Sequence, residues 1–195
     1  MMRTIVKSAI GRTIATAALA AGLPVLAHAA TIGNSYHAIQ YDYRDFYAAT
    51  DNKPFRVVLQ GNPYPNLEPG EVARRLLPVM QANKPEPRLT FTYATPAEPQ
   101  YPDYRLVLVF NPANDLNSAE VCRGVSRLRP GTPERIYVYG VYCRNDQAMA
   151  EATGWTTSSA PEDAAMGDLM KDLFNVVFSR SPYLQQQDSG HAHGR

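Results

Sequence analysis

The chain is short of the residue types on which most catalytic and metal chemistry depends. Its 195 residues include two cysteines, four histidines and one tryptophan. Beyond residue 29 the histidines are His37, His191 and His193. The last two, in His191-Ala192-His193, lack the third and fourth ligands that a stable metal site needs, and no Cys-x-x-Cys or His-Glu-x-x-His occurs. With His37 the remaining base and no Gly-x-Ser-x-Gly turn, a histidine-assisted hydrolase finds no support. Gly61 lacks the companion glycines and Lys of a phosphate-cradling loop. No catalytic residue, metal or cofactor is implied. Excess charge is missing too: 19 Lys+Arg against 18 Asp+Glu leave +1, which argues against a nucleic-acid binder. Beyond the first thirty residues no apolar run approaches a membrane span.

What is present starts at the N-terminus. Arg3, Lys7 and Arg12 precede an apolar run from Ile14 to Leu26, and Ala27-His28-Ala29 offers small residues at −3 and −1. This pattern predicts a signal peptide, residues 1–29, cleaved after Ala29. Removing three basic residues takes the balance from +1 to −2. No Cys stands at the cleavage site for lipid attachment. The sequence therefore predicts a periplasmic or secreted product, a single domain over 30–180 and a flexible polar tail over 181–195. At 45% apolar residues, the chain has the means to build a core.

In an oxidising compartment, two cysteines are expected to pair. Arg129-Pro130-Gly131-Thr132-Pro133 is a turn signal midway between Cys122 and Cys143, so a hairpin folded there sets 122 opposite 143. Such a bridge closes a loop of about 20 residues and is worth roughly 3 kcal/mol in the chain-entropy model.

Elsewhere, Phe55–Leu59 reads as a strand, followed by a helix near Pro69 with Val72, Leu76, Leu77 and Met80 on one stripe, which Pro78 is expected to kink or shorten. Leu89, Phe91 and Tyr93 alternate as a strand. Tyr104–Phe110 is a continuous apolar run, the pattern of a central strand covered on both faces. Ile136–Cys143 is the second hairpin arm, and Ala148–Trp155 a further strand. Asp42 is placed to cap a short helix over Arg44–Ala49. Ser159 and Glu162 have capping-box spacing before a helical stripe of Met166, Leu169, Met170, Leu173, Phe174, Val177 and Phe178. The expected fold is α+β: a mostly antiparallel sheet of about five strands, two helices on one face, and one hairpin disulfide.

The most distinctive constellation is arginine. Arg123, Arg127, Arg129, Arg135 and Arg144 cluster in or just beyond the hairpin. The register that pairs the cysteines sets Arg123, Arg127 and Arg129 on one face with Tyr142, and Arg144 adjoins them. Guanidinium forks beside an aromatic suit carboxylate or phosphate groups on a partner, and a charged sheet edge that deters aggregation carries the same residues. Carboxylate pairs (Asp42 with Asp45, Glu68 with Glu71, or Asp103 with a neighbour) leave a carboxylate-based envelope hydrolase open, as they do a small-ligand binder.

Several segments resemble those of a small exported protein family of Gram-negative bacteria with no assigned activity. They are Asp45–Asp51, Phe55–Val58, Leu76–Met80, Tyr104–Phe110 and Val141–Asp146. The shared motifs are structural. At the level of topology the chain is also similar to envelope accessory lipoproteins with a domain like the N-terminal domain of TolB, although it lacks their lipidated Cys. That resemblance implies an assembly or interaction module with an envelope partner or anionic group.

Overall fold

The computed structural model describes residues 30–95, 102–132 and 135–182. The expected leader, the His191–His193 pair and all but the first two residues of the expected tail lie outside the described residues. The elements follow in the order β1 (Thr31–His37), α1 (Tyr43–Thr50), β2 (Pro54–Gln60), α2 (Pro69–Ala82), β3 (Thr90–Thr92), β4 (Tyr104–Phe110), α3 (Ser118–Cys122), β5 (Arg135–Arg144), β6 (Gln147–Thr157) and α4 (Ala164–Val177).

The fold is α+β, as expected, but the sheet is mixed and has six strands, in the order β1-β6-β5-β4-β2-β3. Strands β1, β6, β5 and β4 pair antiparallel, whereas β4–β2 and β2–β3 pair parallel. The expectation of a mostly antiparallel sheet overlooked the crossover. A helix inserted between two strands returns the chain to the starting end, so β2–α2–β3 is a parallel unit. The sixth strand, β1, is a polar, exposed edge strand with little alternation to betray it.

Among the described residues four helices, rather than the two expected to pack on one face, accompany the sheet. Residues α1, α2 and α4 contribute, among them Phe46, Leu76, Met80, Leu169 and Phe174, pack with Phe55, Leu106, Leu108, Val138 and Tyr142 into the larger core on one face. The short α3 sits on the other face, where Val121 and Cys122 join Val107, Val109, Tyr139 and Val141. Strand β4 therefore feeds both cores from alternate residues, which explains its unbroken apolar run.

The Asp42 cap is present and accepts from the Arg44 amide at 2.8 Å. Helix α2 runs through Pro78 as one helix. The lost amide donation is outweighed by the buried stripe of Val72, Leu76 and Met80. At α4 the stripe is buried as expected, but the capping box does not form. Asp163 occupies the N-cap, and its Oδ2 accepts from the Ser159 and Ala160 amides at 2.7 and 3.0 Å. Glu162 pairs instead with Arg75.

The Cys122–Cys143 disulfide is present, with a Cα–Cα distance of 5.6 Å. It joins the end of α3 to β5, so the hairpin geometry is corrected. An Asn117–Glu120 capping box makes 118–122 helical. The following segment pairs with the chain just after β4, through Ala113 N to Arg127 O and Arg129 N to Asn111 O, both 2.9 Å. The hairpin partner of β5 is β6, joined by the two-residue turn Asn145-Asp146 with Asn145 at φ 52°, a turn in which Asn tolerates positive φ.

Candidate functional site

The five residues expected to form one binding face are dispersed by this topology. Arg123 follows α3 as its C-cap and is exposed. Arg127 is committed to Glu120 at 2.8 Å and approaches Asp115 at 3.5 Å. The Arg127 guanidinium beside Glu120 holds that carboxyl below its usual range. Arg144, at the end of β5, comes within 4.0 Å of Asp45. Tyr142 lies in the core on the helix side of the sheet. The parity that set it beside the arginines required residues 123–129 to be a strand opposite β5, and they are not one.

Arg129 keeps an aromatic neighbour, but a different one. Its guanidinium carbon lies 5.4 Å from the centroid of Tyr137, and Nη1 donates to Asn114 Oδ1 at 2.8 Å. Tyr137 stands directly opposite Trp155 in the β5–β6 register. Their rings stack at 6.2 Å with 6° between planes. Arg135 then covers Trp155 at 5.1 Å. The result is a row of four side chains, Arg129–Tyr137–Trp155–Arg135, on the sheet face that the three larger helices leave free. Both rings are half-buried and both arginines exposed. Among the described residues neither guanidinium has a carboxylate within ion-pair distance. Period two along β5, from Arg135 to Tyr137 to Tyr139, was the sequence signal for this face. Trp155 needed the β5–β6 register as well.

Two concavities lie outside this row. The larger, about 770 Å³, lies where the loops after β2 and β4 meet the chain after β6 and is lined by Asn62, Tyr64, Arg75, Asn111 and Ser158. Here the chain leaves β2 toward α2 and leaves β4 toward α3 on the opposite face, a topological switch point where open sheets often bind ligands. Its polar groups are largely satisfied internally. The Tyr64 hydroxyl donates to the Ala160 carbonyl at 2.9 Å and meets Ser158 Oγ at 2.8 Å. Burial pushes that phenol up to about 12, which leaves it protonated at neutral pH. Among the described residues no carboxylate lines this cleft.

The second concavity, about 520 Å³, is a groove between β2, β4, the end of α3 and the β5–β6 turn. Arg56, Arg105 and Arg123 all line it, with Asp103 and Asp146. Two of the other acids singled out from the sequence are engaged elsewhere. Asp42 pairs with Arg44 at 2.8 Å and Glu71 with Arg74 at 2.7 Å. Among the described residues no three His, Cys, Asp or Glu side chains are grouped to hold a metal ion, and no helix is long and apolar enough to cross a membrane.

Neither family models nor curated proteins give a match to this chain. Among solved structures, a PelC dodecamer variant from Paraburkholderia phytofirmans is similar over 77% of this chain and 95% of that one, with 11% identity and a TM-score of 0.36. A likeness at that level carries no functional argument.

Proposed function

We propose that this is an exported protein, cleaved after Ala29, that acts in the cell envelope as a non-enzymatic interaction module. Its contact is the Arg129–Tyr137–Trp155–Arg135 row, and its partner is an acidic segment of another envelope protein. The row itself carries this reading. A guanidinium held over an aromatic ring is oriented before binding and still presents N–H donors to a carboxylate. The half-buried rings supply rigid apolar area between two such forks, and Trp, Tyr and Arg are the residues that dominate binding energy at protein interfaces. The disulfide is compatible with an oxidising compartment.

The test is site-specific photocrosslinking in cells expressing the whole precursor. A photoreactive residue replaces Thr157, exposed and directly opposite Arg135, or Arg74, exposed on α2 as a control. The expected result is one envelope protein captured from position 157, absent from position 74, and lost when Arg129→Gln and Arg135→Gln are combined. Equal capture from both positions, none from 157, or capture indifferent to the arginine changes would overturn the assignment. Intact mass of the same protein should begin at Ala30; retention of residues 1–29 would refute cleavage.

A further inference from the structure

We propose that the groove holding Arg56, Arg105 and Arg123 is a separate binding site for a small oxyanion, a carboxylate or phosphate group on a soluble ligand. It goes beyond the protein-contact row, from which it differs in residues and in shape. Arg56 and Arg105 are register partners on the neighbouring parallel strands β2 and β4, so two cationic side chains leave the same sheet face side by side. Like charges so placed repel unless something negative lies between or beside them. Asp103 answers only one of them: its carboxylate accepts from Arg105 Nη1 at 2.6 Å.

The Nε of Arg56 is buried and, among the described residues, makes no hydrogen bond. An unmet buried donor on a charged group is costly and is normally paired with an acceptor or ordered water. The third guanidinium arrives from a different direction. Arg123 follows directly on Cys122, whose sulfur is bonded to β5 and whose carbonyl accepts from Arg105 Nη2. The disulfide and that hydrogen bond thus fix the backbone from which Arg123 projects. Val58, Val107 and Val121 contribute apolar lining and Gly124 adds no side chain. Among the described residues the five charged groups of the lining, three arginines with Asp103 and Asp146, leave the groove one positive charge in excess, enough for a singly charged oxyanion. At its other end the buried Oε1 of Gln60 also lacks a partner among the described residues, an acceptor suited to a hydroxyl on the same ligand.

The experiment titrates the purified, disulfide-bonded protein with sodium phosphate and, separately, sodium succinate, at constant ionic strength with chloride as the reference, and follows the melting temperature and the Arg Nε–H resonances. At least one anion should raise the melting temperature saturably and shift the Arg56 Nε–H resonance. Arg56→Gln and Arg123→Gln should each weaken binding by about tenfold or more, the loss expected for one charge-assisted hydrogen bond. The Arg129→Gln, Arg135→Gln pair should bind as the unsubstituted protein does, which separates this site from the protein-contact row. If Arg56→Gln fails to fold, the resonance shift alone decides. No shift with either anion, or a response unchanged in a folded Arg56→Gln or Arg123→Gln variant, would overturn the proposal. Phosphate acting without succinate would identify a phosphorylated ligand, and the reverse a carboxylate.

Discussion

Tyr142 sits among aromatic rings on all sides: Phe178 at 5.4 Å, Phe46 at 5.5 Å, Tyr104 at 5.9 Å and Phe55 at 6.2 Å. Its hydroxyl is buried without a hydrogen-bond partner among the described residues, and burial raises its ionisation far above the ordinary value of 10.0. The ring, not the oxygen, is what the core uses. Tyr142→Phe should therefore leave stability unchanged or raise it by up to about 1 kcal/mol, since it removes an unmet polar group. The neighbouring Tyr41 is the control. Its hydroxyl donates to the Ser179 carbonyl at 2.9 Å, and Tyr41→Phe should cost about 1 kcal/mol. Urea unfolding of the three proteins checks the contrast, and a Tyr142→Phe loss as large as that of Tyr41→Phe would refute it. The same residue marks a limit of reading faces from sequence. Its apolar, β-branched surroundings identified a strand correctly, but which face it occupied depended on a pairing partner that local pattern does not encode.

At the scale of elements, legibility followed the strength of the periodic signal. The stripe along α4, the apolar run of β4 and the Asp42 cap were each readable because a local rule and the tertiary contact agreed. Strand β1 was not readable. Thr31, Gly33, Asn34 and Ser35 have no preference that names a strand, and they become one because β6 offers an unpaired edge. Docking β1 also buries His37, whose ring lies 4.8 Å from Tyr41 and whose Nε2 is buried without a partner among the described residues. Desolvation lowers its pKa from 6.5; the carbonyls of Val176 and Val177, near the end of α4, oppose that shift without cancelling it. The folded ring stays neutral at pH values where the unfolded ring takes a proton. Stability is thus fully present above 6.5 and is lost as pH falls from there through the depressed folded value. His37→Phe, which keeps a ring beside Tyr41, should flatten the dependence of unfolding free energy on pH between 6.5 and about 5, below which carboxylates dominate. An unaltered slope would mean that another group titrates in that window.

The molecule as a whole is one sheet between two cores of very different size. The larger takes side chains from α1, α2 and α4, and the smaller rests on β4 and β5 under α3. A helix of five residues cannot hold itself by propensity, since isolated helices need roughly a dozen residues or more. What keeps α3 in place is Val121, Leu116 and the covalent bond from Cys122 to β5. Cysteine pairing was legible from an even count in a chain expected to be exported, with a turn signal midway between the two. Its structural meaning was not, because a short helix pinned to a strand and a two-stranded hairpin share the same separation in sequence. The two geometries predict different consequences of reduction. A hairpin staple would loosen β5 and with it the central sheet. A pinned helix should come free by itself. Replacing both cysteines by Ser should lower stability by about 3 kcal/mol. Hydrogen exchange should accelerate over 113–125 while Leu169–Phe174 and the β4–β5 ladder stay protected. The freed segment carries Arg123, so the oxyanion groove should weaken in the same variant, whereas Tyr137 and Trp155, held by the β5–β6 register, should keep their stacking and their partner. Uniform loss of protection across the sheet would show instead that the smaller core and the larger one unfold as a single cooperative unit.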